Sequence, residues 1–318
     1  MNKLELIKRN TVEIIKESEL EDLLKKKAPV VYCGYEPSGP LHLGHMVTIT
    51  KLKDLQEAGF KVKILLADVH AYLNKKGDWK FIDEQCKIWE KSIKAIGLNA
   101  EFVKGSSFQY DKNYWNDVLD ISLQTTLKRG LRSMTEIARD IDNATISQMI
   151  YPVMQTVDMK ALKVDIGLGG MEQRKVQMLA RETLPLINYK PIVAIHTPLI
   201  SSLKGAGKMS SSIQGSMISV TDSSATIRTA IKDAHCPAKI VKDNPVMQIA
   251  QLIVFPNLTG FFKIVRPDKF GGNLEFSNYE ELELAYVSGK LHPADLKSGV
   301  ADALVEVLEP IGKILKIS

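Results

Sequence analysis

The amino-acid sequence predicts an α/β protein: a doubly wound parallel sheet followed by a smaller, mostly helical C-terminal domain. Three observations predict it. Short apolar runs rich in β-branched residues alternate with longer amphipathic runs, glycines end the amphipathic runs, and a turn rich in Pro and Gly follows the first apolar run. Strands that alternate with helices form β-α-β units and a parallel sheet. The pattern is therefore Rossmann-like.

The predicted elements follow one another in that order. Five apolar runs are predicted as strands: Val30–Gly34, Val62–Ala67, Glu101–Lys104, Val164–Leu168 and Pro191–Ile195. Helices are predicted at about 43–58 and 79–96, each ended by a glycine, and residues 116–162 are predicted to be helical throughout. The charged residues 1–20 are expected to form one amphipathic helix and not a signal peptide.

The predicted domain boundary lies at the polar segment Val220–Ser223. Ser and Asp in this segment supply helix-capping oxygens, so a new helical unit is expected to start here. We expect a catalytic domain over residues 1–222, with a helical insertion at about 115–150 that is long enough for a helical pair or a dimer interface. The second domain covers 223–318 and includes a loop-rich patch at Phe255–Asn273.

The composition is that of a globular protein. Of the 318 residues, 45% are hydrophobic and 25% are charged, and no apolar run approaches the roughly 18 residues that cross a bilayer. The three cysteines, Cys33, Cys86 and Cys236, are odd in number and far apart. This usage suits a reducing compartment and argues against a structural zinc site. We therefore expect a cytoplasmic protein with no protein-bound structural metal.

The net charge of +5 lies in the N-terminal part of the chain. Residues 226–318 carry 11 basic and 11 acidic side chains, so the whole excess falls in residues 1–225. These groups are either solvated helix faces or a surface that contacts phosphates, because Lys and Arg dominate affinity for nucleic acids. Part of the excess is local, in two short groups: Lys128, Arg129 and Arg132, and Arg174 and Lys175.

The first chemical signal directly follows the first predicted strand. Two prolines and a glycine force a tight turn at 37–40, and a helix then opens with His42-Leu43-Gly44-His45. Ligands bind at this place in doubly wound folds, and a helix N-terminus offers N–H groups to phosphate. The histidines can donate hydrogen bonds to phosphate oxygens. Two satisfied surface histidines are one alternative, and a metal site is another, although no third ligand stands at suitable spacing.

The second signal is the segment Gly205–Ser212, in which small residues flank the single lysine Lys208. A mobile loop of this kind delivers one positive charge to phosphate and can do so in the transition state. The alternative is a flexible linker with one exposed lysine. The presence of the first signal in the same chain argues against this alternative.

The third signal is a polar face on an otherwise apolar helix. Tyr151, Gln155 and Asp158 stand at i, i+4 and i+7, so they project from one side. Their neighbours are apolar, so burial is expected, and a buried Asp must be hydrogen-bonded. Tyr32 on the first strand is expected to point at the same crevice, where a phenol and a carboxylate suit another phenol hydroxyl. A polar, exposed helix face is the alternative.

With these motifs the chain resembles the class I aminoacyl-tRNA synthetases. Their HIGH and KMSKS signatures stand here as His42–His45 and Lys208–Ser212. Leu43 replaces the isoleucine, and Ser211 replaces the second lysine, which removes one positive charge from the loop. The resemblance implies two groups of residues around ATP: His42, His45, Lys208 and Ser211 in catalysis, and Gly44, Met209 and Ser210 in ATP binding.

Within that class the chain resembles the tyrosyl enzymes of the archaeal and eukaryotic kind over nearly its whole length. The similar blocks are Tyr32–Gly39, Leu66–Ala71, Tyr151–Gln155 and Gly169–Lys175. The resemblance implies a tyrosine site of nine residues: Tyr32 and Asp158 at the hydroxyl, Tyr151, Gln155 and Gln173 at the α-amino end with Glu36 nearby, and Gly34, Ala67 and His70 as further substrate-binding positions.

The resemblance also implies the partners. L-tyrosine and ATP with Mg²⁺ on its pyrophosphate oxygens are the expected small substrates, and the His and Lys side chains are expected to supply charge to the phosphates. Family members are homodimers, so a homodimer is expected. The tRNA is expected to meet two groups of residues: Arg132, Arg174 and Lys175 at the acceptor stem, and Phe270, His292 and Asp295 at the first anticodon base.

Three other functions remain open from the sequence. A tryptophanyl enzyme shares the fold and a similar H-x-G-H turn, although the pair Tyr32 and Asp158 argues against it. A small-molecule nucleotidylyltransferase also uses such a helix start, but it needs neither the Lys208 loop nor a second helical domain. A non-catalytic RNA-binding paralogue has no physical need for His42, His45 and Lys208 together.

Overall fold

A computed structural model describes residues 2–135, 143, 145–205, 207, 209, 213 and 215–315. The chain forms two compact units, each built from three separate stretches. The first unit contains Met1–Ser38, Lys51–Glu90 and Asn99–Pro198, and the second contains Gly39–Thr50, Lys91–Leu98 and Leu199–Ser318. The division between residues 222 and 223 and the insertion at about 115–150 stay predictions.

A six-stranded sheet lies at the centre of the first unit. Its strands are β1 (Glu13–Ile15), β2 (Val30–Tyr35), β3 (Lys61–Leu66), β4 (Ala100–Lys104), β5 (Ile166–Gly170) and β6 (Val193–Thr197). They lie in the order β1-β6-β5-β2-β3-β4; β1 is antiparallel to β6, and the other neighbours are parallel. The order reverses between β2 and β5, where doubly wound sheets bind ligands at the carboxyl ends of the strands. The predicted α/β fold is confirmed.

The helices of the described residues alternate with these strands and then fill the C-terminal part. They are α1 (Lys3–Lys8), α2 (Glu17–Leu24), α3 (Leu43–Glu57), α4 (Asp68–Leu73), α5 (Trp79–Ala95), α6 (Lys112–Gln124), α7 (Leu127–Met134), α8 (Ile146–Ala161), α9 (Arg174–Thr183), α10 (Ser224–Asp233), α11 (Pro245–Ile249), α12 (Phe255–Asn257), α13 (Tyr279–Val287) and α14 (Pro293–Leu315). A π-helical turn joins α11 to α12. The helices predicted at 43–58 and 79–96 are confirmed as α3 and α5.

Two predictions of local structure were wrong. Residues 1–20 do not form one helix, because Asn10 takes a left-handed φ of 52° after α1 and the next residues pair with β6 as β1. Helix does not continue through 116–162, because Thr126 instead caps α7 by accepting from the Arg129 N–H at 3.3 Å. The patch at Phe255–Asn273 is rich in loops, as predicted, and also contains the short strand β7 (Phe262–Ile264), which pairs antiparallel with β8 (Leu274–Phe276).

Helix α8 is the buried element that carries the predicted polar face. Thr145 and Gln148 form a capping box at its start, and the helix packs against α6, α7 and α9. Its apolar side chains, among them Val153 and Val157, join a core that also contains Tyr32 of β2. Burying one such aliphatic side chain contributes roughly 1.5–3 kcal/mol. The packing of α8 therefore fixes the polar side chains that project from its other positions.

The C-terminal residues form a mostly helical part of the second unit, as predicted. Helix α14 packs against α10 and β7. A Cβ on Gly299 would lie 2.7 Å from Ile264 Cγ1, so only glycine allows α14 and β7 to approach this closely. No helix in the described stretches is long and apolar enough to span a bilayer.

Candidate active site

Asp158 on α8 is the centre of a buried polar cluster in the first unit. Its side chain is fully buried, and Oδ1 accepts hydrogen bonds from Gln109 Nε2 at 2.7 Å and from the Tyr114 hydroxyl at 2.9 Å. Oδ2 makes no hydrogen bond within the described chain and lies 3.6 Å from His70 Nε2. A buried polar atom left without a partner costs about 1–3 kcal/mol, and more if charged. The arrangement therefore favours a ligand that donates a hydrogen bond to Oδ2.

Burial determines the protonation of this cluster. It raises the pKa of Asp158 to about 7, and the hydrogen bonds from Gln109 and Tyr114 oppose the rise only in part. It also lowers the pKa of His70 to about 4. The distance between Asp158 and His70 would fit an ion pair, but desolvation of two fully buried groups outweighs their attraction. His70 is therefore uncharged near pH 7 and lines the cluster.

Tyr32 on β2 belongs to the same buried cluster. Burial raises the pKa of its phenol, the Asp158 charge raises it further, and a hydrogen bond with Gln155 opposes both effects. The charge of Asp158 also raises the pKa of Tyr114. The structure thus brings the predicted phenol and carboxylate together, with the second phenol of Tyr114 on the bonded side of the acid.

Of the residues predicted at the α-amino end, the two on α8 lie nearer its start than Asp158 does. Gln155 Nε2 donates to Gln173 Oε1 at 3.0 Å, whereas Gln155 Oε1 is buried and makes no hydrogen bond to the described residues. The Tyr151 ring stands edge-on to His70 with centroids 4.5 Å apart. Burial raises the pKa of Tyr151, and the Glu36 carboxylate raises it further. A buried amide oxygen and a carboxylate are acceptors that suit an ammonium group.

Small residues keep space open at the carboxyl ends of the strands. A Cβ on Gly34 would lie 3.6 Å from the Tyr32 ring, and a Cβ on Gly169 would lie 2.7 Å from Gln173 Cβ and Cγ. Gln173 can therefore fold back over β5 only because residue 169 is glycine. The Ala67 N–H donates to the Tyr35 carbonyl at 2.8 Å, which fixes the end of β3 against the end of β2.

Gln109 and Tyr114 are site residues that the sequence analysis missed. Gln109 lies between β4 and α6, and Tyr114 lies in the first turn of α6, which Asp111 caps by accepting from the Asn113 N–H at 2.7 Å. Their position after the carboxyl end of a parallel strand was a usable signal, since such ends share one edge of the sheet. Nothing in their spacing, however, indicated a bond to Asp158, which lies 44 and 49 residues away in the chain.

His42, Gly44 and His45 open α3 in the second unit. His42 Nδ1 accepts from the Gly44 N–H at 3.1 Å, and His45 Nδ1 accepts from the His42 N–H at 3.3 Å. Because each Nδ1 is an acceptor, the proton of each neutral ring lies on Nε2. Burial lowers the pKa of His42 to about 4 and lowers that of His45 well below its ordinary value. The histidines therefore offer neutral N–H donors and not the positive charge expected from the sequence.

The turn that carries these histidines is tied to the segment after the second motif. Two backbone hydrogen bonds and a β-bridge join residues 41–43 to residues 218–220. Met209 is buried, and its N–H donates to the Ile200 carbonyl at 3.0 Å. Three predicted residues of the second motif lie outside the described residues: Lys208, Ser210 and Ser211.

A basic cleft of about 200 Å³ lies in the first unit. Lys175 Nζ donates to Thr135 Oγ1 at 3.0 Å, and Glu182, the acidic residue among the described lining residues, forms an ion pair with Arg129. The positive lining suits phosphate. The cleft brings together the three residues predicted at the acceptor stem with a fourth cation: Arg132, Arg174, Lys175 and Arg129.

The three residues predicted at the anticodon lie in the second unit: Phe270 in the turn between β7 and β8, and His292 and Asp295 at the start of α14. The Phe270 ring is exposed. His292 Nδ1 accepts from the Ala294 N–H at 3.2 Å, and Asp295 lies 3.7 Å from the Arg266 guanidinium. A cavity of about 550 Å³ opens beside His292, and three cations line it: Arg228, Lys232 and Lys297.

Comparisons with known proteins agree with this geometry. Residues 24–309 match the family described as tRNA synthetases class I (W and Y). The chain is 51% identical over 318 residues to the tyrosine–tRNA ligase of Methanocaldococcus jannaschii, covering 99% of this chain and 100% of that protein. It is 50% identical over 309 residues to the tyrosine–tRNA ligase of Methanocorpusculum labreanum, covering 97% and 96%. The tyrosyl-tRNA synthetase of Archaeoglobus fulgidus, solved in complex with L-tyrosine, is similar with a TM-score of 0.95, 47% identity and 98% of each chain covered.

Proposed function

The chain belongs to the class I tRNA synthetases of the W and Y family, and we propose that it is a tyrosine–tRNA ligase. It activates L-tyrosine with ATP to tyrosyl-adenylate and transfers the tyrosyl group to the 3′ end of tRNA(Tyr). One structural observation carries the choice of amino acid: the buried Oδ2 of Asp158, which has no partner in the described chain and lies in one cluster with Tyr32.

Recognition of tyrosine rests on that oxygen. The substrate hydroxyl donates a hydrogen bond to Asp158 Oδ2, and Tyr32 bonds the same hydroxyl from β2. Phenylalanine fills the same space but leaves Oδ2 unpaired, at a cost of about 1–3 kcal/mol or more. At the other end the substrate ammonium bonds Gln155 Oε1 and Gln173, with Tyr151 and Glu36 beside it. Gly34, Ala67 and His70 shape the pocket.

The first chemical step joins two substrates without a covalent enzyme intermediate. The tyrosine carboxylate is already anionic, so it attacks the α-phosphorus of MgATP without a protein base; the bond from the α-phosphorus to the bridging oxygen breaks, and pyrophosphate leaves. The chain contributes position and electrostatic stabilisation. His42 and His45 donate neutral Nε2–H bonds to phosphate oxygens, Gly44 lets the nucleotide approach α3, and Lys208 in its loop supplies the positive charge. Met209, Ser210 and Ser211 complete the ATP-binding loop.

The tRNA uses two surfaces. Its acceptor stem lies against the cleft of Arg132, Arg174 and Lys175, whose cations neutralise backbone phosphates. The first base of the anticodon meets Phe270, His292 and Asp295, where an exposed ring offers stacking and a carboxylate offers hydrogen bonds.

We also propose that the protein is a cytoplasmic homodimer. The three cysteines are free, as a reducing compartment requires. Four aliphatic side chains of α6 and of the helices that follow it are strongly exposed, as side chains at a protein–protein interface are in a single subunit. The four are Leu119 at 59%, Leu123 at 80%, Leu127 at 75% and Ile146 at 80%.

The proposed function is tested by exchange of pyrophosphate into ATP with single amino acids, followed by charging of bulk tRNA. We expect exchange that depends on L-tyrosine and far weaker exchange with L-phenylalanine or L-tryptophan. Preference for tryptophan would replace the tyrosyl assignment by the tryptophanyl one. Failure of any amino acid to support exchange would favour a non-catalytic RNA-binding protein.

A further inference from the structure

Glu13 on the edge strand β1 contacts the first residue of α9. Its Oε1 accepts a hydrogen bond from Arg174 Nε at 2.5 Å. In the sheet, Glu13 pairs directly with His196 of β6. His196 Nδ1 lies 2.9 Å from the same Glu13 oxygen, in an orientation that forms no hydrogen bond. The contact lies outside the residues proposed above for tyrosine and ATP.

Pairing with β6 fixes the backbone of Glu13, whereas its partner Arg174 reaches it through a long side chain. All three residues of β1 pair with β6, and the Val12 N–H donates to the His196 carbonyl at 2.8 Å. His196 is fully buried, the Glu13 side chain is 26% exposed, and the Arg174 side chain is 45% exposed. The ion pair therefore holds the partly exposed Arg174 side chain against a carboxylate whose backbone is fixed in the sheet.

The contact occupies one donor of that guanidinium. Arg174 has five N–H donors in a rigid plane, and its hydrogen bond within the described part of the chain uses Nε. Among the described residues, none accepts a hydrogen bond from the four Nη–H donors. Because Arg174 also lines the basic cleft of about 200 Å³, fixing the Nε end orients the remaining donors in a phosphate-binding surface.

We propose that Glu13 is a positioning residue for tRNA, which holds the Arg174 guanidinium so that its Nη groups meet the acceptor-stem backbone. The proposal rests on the proposed function, in which Arg174 contacts the acceptor stem. An arginine that is already oriented loses less rotamer freedom when RNA binds, so the complex forms at a lower entropic cost.

The direction of the effect separates positioning from simple electrostatics. Glu13 places a negative charge beside a cleft for phosphates. Electrostatics alone therefore predicts that removing this charge strengthens RNA binding. Positioning predicts the opposite, because Arg174 loses its orientation when the carboxylate is gone.

The test measures aminoacylation of purified tRNA(Tyr) by Glu13→Gln as a function of tRNA concentration. We expect KM for tRNA to rise about tenfold, the factor that a hydrogen bond to a charged group contributes. We expect kcat and tyrosine-dependent pyrophosphate exchange to stay at the wild-type value. In the Arg174→Ala background, Glu13→Gln should add nothing, because no guanidinium remains to be oriented.

An unchanged or lower KM for tRNA in Glu13→Gln overturns the proposal, as does full additivity of the two substitutions. An unchanged KM in Arg174→Ala overturns both the positioning role and the acceptor-stem assignment. Tyrosine-dependent exchange by the wild-type protein reports separately on the proposed function, because it needs no tRNA.

Glu19→Gln is a matched control. Glu19 on α2 forms an ion pair with Arg181, also on α9 and seven residues after Arg174. This substitution breaks a second bond between the N-terminal residues and the same helix, roughly two turns from Arg174. We expect an unchanged KM for tRNA. A rise equal to that of Glu13→Gln would mean that general loosening of the N-terminal residues causes the effect, which overturns the positioning role.

Discussion

The two oxygens of Asp158 have different environments, and we propose that this difference determines the specificity for tyrosine. Oδ1 accepts hydrogen bonds from Gln109 and Tyr114, which keep the buried side chain in place. Oδ2 has no partner in the described chain and is the oxygen left for a substrate hydroxyl. A neutral His70 stands on the far side of Oδ2. We propose that the bonded Oδ1 holds the side chain in place and that the open Oδ2 recognises the substrate hydroxyl.

Asp158→Asn should reduce the preference for tyrosine over phenylalanine. The amide keeps the size of the side chain but weakens the acceptor at the position of the substrate hydroxyl. We expect the ratio of kcat/KM values for the two amino acids to fall about tenfold or more, as for one hydrogen bond to a charged group. Pyrophosphate exchange with each amino acid measures the ratio.

Asp165→Asn is the matched control for that measurement. Asp165 is another acid with little exposed surface in the same unit, but its oxygens are paired with Lys26, Lys190 and the Val30 N–H. We expect its replacement to lower stability and to leave the amino-acid preference unchanged. An equal loss of preference in both variants would mean that general damage to the unit, and not the open oxygen, sets specificity.

Asp158 should also make stability depend on pH. Its pKa in the folded chain, about 7, lies above the ordinary value of 3.8. The folded state therefore binds the proton more tightly, and the free energy of unfolding falls as pH rises between these two values, by roughly 4 kcal/mol in total. Asp158→Asn lacks this loss. We expect urea denaturation to show the variant gaining stability over the wild type from about pH 5 to about pH 8; a constant difference would contradict the raised pKa.

At the scale of single elements, a local feature holds the proposed functional side chains of each of α3 and α8 in place. On α8 the apolar positions are buried, which leaves Tyr151, Gln155 and Asp158 on one face. On α3 glycine at position 44 allows its N–H to reach His42 Nδ1. The spacing of residues in the sequence predicted the face of α8. The sequence indicated the glycine of α3 only as part of a motif, because the close contact depends on the three-dimensional structure.

Gly44→Ala should lower the rate of adenylate formation without unfolding the protein. The added Cβ would lie 2.9 Å from His42 Cε1 and 3.0 Å from Nδ1, so the imidazole must shift. A misplaced donor costs about 10²-fold in rate where charge develops in the transition state. Tyrosine-dependent exchange measures the loss, and a thermal melt checks the fold. An exchange rate equal to the wild type would show that the position of His42 does not matter.

The limits of the sequence also lie at the scale of elements. Long runs with clear periodicity or a glycine stop, such as α3 and α5, were predicted to within one residue. The three-residue strand β1 was missed because Glu13–Ile15 is too short to show alternation and becomes a strand only by pairing with β6. Gln109 and Tyr114 were missed for the same kind of reason, since their role depends on a partner distant in the chain.

At the scale of the whole molecule, the exposed leucines of α6 are the feature that one chain alone does not explain. Leu119 and Leu123 stand at i and i+4 and share one helix face, and Leu123 is 80% exposed. An apolar row of this kind on the surface is a liability unless a second copy covers it.

Leu123→Lys should therefore convert the proposed homodimer to monomers. A charge placed in an apolar interface must be desolvated without a partner, which costs several kcal/mol. Sedimentation velocity across a range of protein concentrations measures the change. The matched substitution Leu284→Lys places the same charge at another leucine with 72% exposure, on α13, and should leave the dimer intact. A wild-type protein that sediments as a monomer would contradict the proposed interface.

The most direct test of the proposed tyrosine site is a crystal structure of this protein with bound L-tyrosine. We predict that the substrate hydroxyl lies about 2.5–3.0 Å from Asp158 Oδ2, the distance of an O–H···O bond, with the Tyr32 hydroxyl beside it and the substrate ammonium at Gln155 Oε1. A tyrosine whose hydroxyl points away from residue 158, or an Asp158 carboxylate turned toward solvent in the complex, would contradict the assignment of the amino acid.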